Sequence, residues 1–293
     1  MRPNGSGPAR LFAGCKINLF LRITGRLANG YHTLESFFLP LEDPVDTITI
    51  TRKPESGIDF SCTDASLEQA DNIMVKAYKA YAAKTGHAPG LHVSLDKRIP
   101  YGAGLGGGSS DAAALLAYLN NDALTEGAGG LDEAGLNALA ATLGADVPFF
   151  LVNRPALVRG IGEIIEPTAN PLAGLHLVLV CPKVHVATGP AFAAWDAKNG
   201  QKHAADALTN RDWEDTSPLV RGIRVQNDLA RIVFEIHPEL QKIVASLYKC
   251  NAAAASMSGS GSSLFGIFCK KSDAENAERL FLDAGERVFY RSL

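Results

Sequence analysis

One stretch limits what this chain can become more than any other: Ile99-Pro-Tyr-Gly-Ala-Gly-Leu-Gly-Gly-Gly-Ser-Ser-Asp-Ala-Ala113. It carries glycine at 102, 104, 106, 107 and 108, followed by Ser109, Ser110 and Asp111. Residues 90–99 alternate as a strand does, and Ala112–Leu119 reads as a helix. The order is therefore strand, glycine-rich loop, helix. Glycines lose much backbone entropy on folding. Five together make sense where the backbone must approach a ligand closely with its N–H groups turned inward. A helix N-terminus adds unpaired N–H groups and partial positive charge, so loop and helix end together form an anion site, most often for phosphate.

Two familiar phosphate loops do not fit. The P-loop needs Gly-x4-Gly-Lys-Ser/Thr, and no lysine occurs between Lys97 and Lys183. Gly102, Gly104 and Gly107 meet the dinucleotide pattern Gly-x-Gly-x-x-Gly. Pro100 and Tyr101 separate them from the strand, however, and no second strand with a terminal acid follows about 20 residues on. A flexible linker or plain tight turn is the bland alternative, disfavoured by the clear strand and helix on either side.

The 293 residues allow one large or two ordinary domains, and 46% hydrophobic with 20% charged residues suits a water-soluble globular protein. A net charge of −3 gives no basic surplus for nucleic acid or an anionic membrane. No apolar run approaches the ~20 residues of a membrane span. Met1–Pro8 lacks an apolar core and reads as a loose tail, not a signal peptide. Cysteines at 15, 62, 181, 250 and 269 are odd in number and widely spaced. They read as buried thiols of a reducing cytosol. The histidines are scattered too, so no protein metal site is expected.

Residues 10–23 read as a strand, with Lys16 and Asn18 on the opposite parity from Ile17, Leu19 and Leu21. That sets an amine beside an amide, although strand evidence alone favours a lysine facing water. Asn29-Gly30 is a strong turn dipeptide, with Tyr31 and His32 just past it. They are either packing residues or groups presented to a ligand. Strands are expected near 33–41, 46–52 and 58–62, and a helix from Asn72 to Thr85. A second helix covers about 132–143 and ends at Gly144. Asp146 follows, held by the restricted backbone at Pro148, as either a functional acid or a cap.

A hairpin is expected at 156–166, and Glu166–Pro171 is the best boundary, dividing 1–165 from 166–293. Beyond it come a strand at 176–181, a helical turn at Thr188–Trp195 and a polar loop at 198–217. Helices follow at about 227–236 and 239–249. The second glycine cluster, Ser256–Ser263, leads into a strand at 264–268, then a helix at about 272–284 and a strand at 286–292. The mixture indicates an α+β sandwich.

Three of these stretches together resemble the GHMP kinases. Pro100-x3-Gly104-Leu-Gly-Gly-Gly-Ser-Ser-Asp111 resembles their second motif, Lys16-Ile-Asn18 their first and Ser258-Gly-Ser-Gly-Ser262 their third. The order is right and the motifs span nearly the whole chain. Lys16–Leu21, Gly30–Leu34, Asp96–Pro100 and Gly144–Pro148 are similar to one branch of that family. This branch phosphorylates a tertiary alcohol of a cytidine diphosphate substrate on the methylerythritol phosphate route to isoprenoids. Arg159, before Gly-Ile-Gly, departs from the branch's pattern. Kinases for other alcohols share the glycine loop without Gly-Tyr-His. A dehydrogenase or a non-catalytic nucleotide-binding module are the rivals outside the family.

The resemblance implies a two-domain α+β fold, with an N-terminal domain like ribosomal protein S5 domain 2 and a ferredoxin-like C-terminal domain. It implies that Pro100, Gly102, Ala103, Gly104, Leu105, Gly106, Gly107, Gly108, Ser109 and Ser110 wrap the phosphates of ATP. Ser109 and Ser110 would serve phosphate or the Mg²⁺ that accompanies it. Asp146 would take or orient the proton of the hydroxyl, with Lys16 beside it as a stabilising charge. Asn18 would support the substrate hydroxyls, while Tyr31, His32 and Phe192 would grip the cytosine ring. Thr188, Gly259 and Gly261 would lie at the substrate end. The implied partner is a small molecule, not nucleic acid or membrane.

Overall fold

The computed structural model describes residues 7–199 and 219–293. Of the polar segment 198–217, only its first two residues fall within that range, where they end a helix. Two units divide the chain, and neither is continuous in sequence. The first comprises Met1–Cys15, Pro44–Ile99 and Gly106–Asn153; the second comprises Lys16–Asp43, Pro100–Leu105 and Arg154–Leu293.

Two long strands, β1 (Ala9–Arg26) and β2 (His32–Arg52), contribute to both units. The sequence pattern divides β2 in two, at Pro40 and Pro44, but the chain stays extended through both prolines. The reason lies in its partners. On one side of β2, Leu34–Phe38 pair with one strand and Thr47–Arg52 with another. Both prolines fall between these registers, so neither removes a bond from those two ladders.

In the first unit the C-terminal part of β2 runs antiparallel to β4 (Gly90–Asp96), and β3 (Gly57–Cys62) runs parallel to β4. A parallel pair needs a crossover, supplied by α1 (Ile73–Thr85). The Asn72 side chain caps α1 by accepting from the Met74 N–H at 2.9 Å, and Gly86 ends it in the left-handed conformation. Next come α2 (Gly107–Thr125), α3 (Glu133–Leu143) and α4 (Val147–Val152). Helix α2 packs on α1, α3 and α4, which explains why Ala112, Ala113, Leu115, Leu116 and Leu119 are all buried. It starts at Gly107, ahead of the expected Ala112, because two glycines and two serines give its first turn no apolar period.

In the second unit β5 (Ala156–Gly160) pairs with the N-terminal part of β2 and forms the expected hairpin with β6 (Ile164–Pro167). Arg159 ties that hairpin by bonding Glu35 at 3.3 Å and Glu166 at 2.6 Å, a structural use for the departing residue. The chain continues through β7 (His176–Cys181), α5 (Thr188–Asn199), the short β8 (Leu219–Val220) and β9 (Ile223–Arg224), then β10 (Gln226–Asn227). The helices α6 (Ala230–Ile236) and α7 (Pro238–Lys249) follow. The helix expected from 227 begins later because Gln226 and Asn227 pair in parallel with Phe20 and Leu21 of β1. Strands β11 (Ala254–Met257) and β12 (Leu264–Phe268), α8 (Lys271–Asp283) and β13 (Arg287–Ser292) complete the chain.

Strands β11, β12, β7 and β13 form, in that order, an antiparallel sheet. Numbered by their appearance in the chain, they lie 2-3-1-4, which is the ferredoxin-like order that the resemblance implies. Val178, Val180 and Phe268 of this sheet share a core with Leu247 of α7 and with Ala274, Ala277 and Phe281 of α8. Among the described residues, no helix is long and apolar enough to cross a membrane. The five cysteines are thiols; Cys15 and Cys181 are buried as expected, but Cys269 is exposed.

Candidate active site

The second unit brings parts of all three motifs together. Lys16 and Asn18 share one face of β1, and the Lys16 ammonium donates to Asn18 Oδ1 at 2.7 Å. It also lies 4.5 Å from the centre of the Phe38 ring. Lys16 is only 4% exposed, so the water-facing alternative is wrong. The Asn18 amide donates to Ser36 Oγ at 2.9 Å, and Ser36 donates to the Phe20 carbonyl. Asn18 is thereby held in one rotamer.

The second motif meets the first at the backbone, where the Lys16 N–H donates to the Leu105 carbonyl at 2.9 Å. The third motif meets both. Ser258 Oγ accepts from the Asn18 N–H at 3.2 Å and donates to the Gly104 carbonyl at 2.9 Å. The Ser263 N–H donates to the Ala103 carbonyl at 3.1 Å. Gly104 and Gly259 are glycine for this reason. A methyl on Gly104 would lie 2.1 Å from the Ser258 carbonyl, and one on Gly259 would lie 3.1 Å from the Gly104 carbonyl. Both also have positive φ, which favours glycine. Thr188 joins the same turn through Ser260, their hydroxyls 2.8 Å apart.

Asn227, which sequence patterning misses, braces that turn. Its amide donates to the carbonyls of Met257 at 2.8 Å and Gly259 at 2.7 Å. The neighbouring Asp228 accepts from the Ile23 N–H of β1 at 2.7 Å. Burial raises the Asp228 pKa to about 6, against the opposing pull of that N–H and of Arg22. A dipeptide read only as the start of a helix thus connects the third motif to the strand of the first.

Elsewhere in the same unit, the Asn29-Gly30 turn presents Tyr31, 61% exposed, and turns His32 inward. The His32 ring stacks on Phe192 with centroids 4.8 Å apart and meets Trp195 edge-on at 6.0 Å. Its Nε2 lies 2.7 Å from Asp196, which also pairs with Arg26 at 3.2 Å. Phe192, Trp195 and Asp196 occupy helix positions i, i+3 and i+4, one face of α5. The sequence shows that face, but nothing in it says that His32 packs there.

The first unit holds the rest of the glycine loop. Gly106, in the left-handed conformation, opens α2, and the Ser110 N–H bonds back to its carbonyl at 2.9 Å. A methyl on Gly144 would lie 3.9 Å from Ser109 Oγ, so the first turn of α2 faces the turn before α4. Asp146 stands at the N-cap of α4 yet makes no capping hydrogen bond there, which removes the capping alternative. Lys97 and Asp111 pair beneath the loop, with Asp46 as a third member. Burial raises the Asp111 pKa to about 7, opposed by Lys97 and assisted by Asp46. For Lys97, burial lowers the pKa, but the two carboxylates outweigh it and leave it above the usual lysine value.

His87, Asp122 and Glu126, also in the first unit, place three ligand atoms within 4.8 Å of one another. The Arg52 guanidinium already contacts both carboxylates and supplies the counter-charge that a cation would bring. The wide sequence spacing hides this cluster from motif reading.

The family described as GHMP kinases N terminal domain matches residues 72–154, and that described as GHMP kinases C terminal matches residues 204–285. Together they match more than half of the chain, which belongs to the GHMP kinase family. A 4-diphosphocytidyl-2-C-methyl-D-erythritol kinase from Solidesulfovibrio magneticus is 46% identical over 283 residues, covering 95% of each chain. One from Nitratidesulfovibrio vulgaris is 42% identical over 284 residues, 97% of this chain and 98% of the relative. A crystal structure of 4-(cytidine 5'-diphospho)-2C-methyl-D-erythritol kinase superposes with a TM-score of 0.75 at 31% identity, covering 96% of this chain and 98% of that one.

Proposed function

We propose that this chain is an ATP-dependent kinase that phosphorylates the 2-hydroxyl of 4-diphosphocytidyl-2-C-methyl-D-erythritol. The observation that supports it most is the backbone-to-backbone meeting of Gly104 with the Ser258–Gly259 turn, locked to Lys16 and Asn18 by Ser258 and Leu105. A fold that needed only to bury apolar residues would not require three distant polar motifs to meet there. The full-length relatives named for this activity support the substrate.

Phosphoryl transfer requires positioning, neutralised charge and an oriented nucleophile. On this reading, backbone N–H groups of Gly102–Ser110 bind the phosphates of ATP, and the α2 N-terminus adds its partial positive charge. The hydroxyls of Ser109 and Ser110 are hard oxygen donors of the kind that Mg²⁺ accepts alongside phosphate and water. Mg²⁺ entering with ATP would neutralise phosphate charge. Asp146 accepts or orients the proton of the substrate hydroxyl. Lys16, fixed by Asn18, stabilises negative charge on the transferring group. Tyr31, His32 and Phe192 hold the cytosine ring, while Thr188, Gly259 and Gly261 line the substrate end. The same reading divides the chain at about residue 165 into an ATP-binding and a substrate domain, and places the protein in the cytoplasm.

The test measures ADP release with ATP and, in turn, the cytidine diphosphate substrate, mevalonate and homoserine. Turnover with the cytidine substrate alone is expected. Turnover with either of the other alcohols and none with the cytidine compound would overturn the assignment.

A further inference from the structure

The strand-loop-helix connection contains a charge cluster that the proposed chemistry leaves unused. Lys97 follows directly on β4, Asp111 lies in the second turn of α2, and Asp46 comes from β2. The Lys97 ammonium lies 2.5 Å from Asp46 Oδ2 and 2.7 Å from Asp111 Oδ2. The three side chains are 6%, 0% and 2% exposed, respectively. The other oxygen of Asp46 accepts from the N–H groups of Arg98 and Ile99 at 2.5 and 2.7 Å. The other oxygen of Asp111 is buried and has no hydrogen-bond partner. The ammonium also sits against the glycine loop itself, since a methyl on Gly107 would lie 3.2 Å from Lys97 Nζ and 2.7 Å from Ile99 Cγ2.

Such a cluster is a poor way to hold a fold. Removing charged groups from water is costly before any attraction is counted, and apolar side chains of similar size often serve as well or better. Two carboxyl groups also share one ammonium, and one buried acceptor lacks a donor. What apolar residues could not supply is a cation fixed under the first turn of a helix whose N–H groups are to receive an anion.

We propose that Lys97 is a positioning residue for ATP, held by Asp46 and Asp111 so that its charge and its contact with Gly107 set the first turn of α2 for the phosphates. This rests on the reading of the glycine loop as the phosphate cradle. The carboxylates act on the lysine: Asp46 also ties it to the backbone of 98–99, and Asp111 ties it to the helix. The arrangement fits a glycine at 107, since a methyl there would clash with Ile99 and crowd the ammonium. It predicts a loss of ATP affinity that persists when Lys97 and Asp111 are removed together, whereas a cluster that served only folding would show none on nucleotide binding once stability was restored.

The experiment compares full-length wild type, Lys97→Met, Asp111→Asn, the double variant and Gly106→Val by thermal melting, ATP calorimetry and steady-state kinetics. Lys97→Met should raise the KM for ATP about tenfold or more, with kcat and the KM for the alcohol within about threefold, as for a loss of uniform binding. Asp111→Asn should weaken ATP binding less than Lys97→Met does, because Asp46 still holds the ammonium. The double variant removes one group of each sign and leaves Asp46 on the N–H groups of Arg98 and Ile99, so its melting temperature should recover at least in part. Its ATP affinity should stay as weak as that of Lys97→Met. Recovery of both stability and affinity in the double variant would reduce the cluster to a structural device and overturn the proposal. Should Lys97→Met fail to fold, the double variant carries the comparison alone. Gly106→Val reports on the loop, since its side chain would stand among the N–H groups that take the phosphates: unchanged ATP affinity there would overturn the cradle reading itself. Weakened affinity there, with wild-type affinity in the double variant, would overturn only the role of Lys97.

Discussion

The glycines of the two units look alike in sequence and meet opposite demands. In the second unit, Gly104 and Gly259 let two stretches of backbone touch, and neutral groups hold the contact: Ser258, Asn227 and backbone N–H donors. In the first unit, Gly107 and Gly108 form the opening turn of a helix, and Gly107 lies against a buried ammonium between two carboxylates. Close backbone contact needs glycine at each touching position, because no side chain can be accommodated without moving a carbonyl. A helix end needs glycine only where something lies beneath it. A run of identical residues thus contains positions of very different tolerance.

The largest expected effect is on the chemical step. Asp146→Asn should fold and bind both substrates, yet turn over about 10²–10⁴-fold more slowly, since asparagine cannot accept the proton. On the proposed chemistry Lys16→Met should also be slow, because it removes the charge that stabilises the transferring group. Single-turnover kinetics decides: an Asp146→Asn rate within about threefold of wild type would remove it from the chemistry.

The glycine comparison itself comes next. Gly104→Ala would force a methyl to within 2.1 Å of a carbonyl oxygen at positive φ. It should therefore cost about 3 kcal/mol or more, in the range of severe packing and backbone mutants. At Gly108 the nearest atom is 3.7 Å away, on Ile73, and the backbone is helical. Gly108→Ala should be neutral or stabilising by up to about 1 kcal/mol, as alanine is the better helix former. Urea denaturation of the two variants measures both. Equal losses would show that the two glycine runs do the same work.

Tyr31→Ala sharpens the comparison at the exposed end of the second unit. It should weaken the cytidine substrate by about 1–3 kcal/mol, the worth of one base–aromatic stack. The KM for ATP should stay as it is; a parallel rise in both constants would make Tyr31 structural.

The smallest effect concerns Asp228, the buried carboxyl held by the Ile23 N–H. Its folded pKa, about 6, is above the ordinary 3.8, so the folded state binds more protons between these values. Its contribution to stability is therefore full below about pH 4 and is lost as the pH rises through 6. Asp228→Asn should remove that part of the pH slope, measured as wild type minus variant in urea melts. An identical slope in both would show that Asp228 does not titrate there.

What the sequence determined by itself was local or carried by motif. The strand with Lys16 and Asn18, the glycine loop opening a helix, the Asn29-Gly30 turn and the second glycine cluster follow from backbone geometry over a few residues, and they are legible at short range. Asp146 and Tyr31 could be marked as candidates for the same reason. What only the tertiary structure decided was which distant groups met. Asn227 bracing Met257 and Gly259, Asp196 behind His32, Ser36 behind Asn18 and Asp46 with Lys97 all join residues whose types are common and whose spacing has no period. Burial was undecided too: a strand pattern gives Lys16 the parity opposite its apolar neighbours, but only the packing around β1 turns that face inward. Local sequence fixes φ, ψ and periodicity because those energies act between neighbours along the chain. Hydrogen bonds, ion pairs and desolvation act between neighbours in space, and those neighbours exist only once the chain has folded.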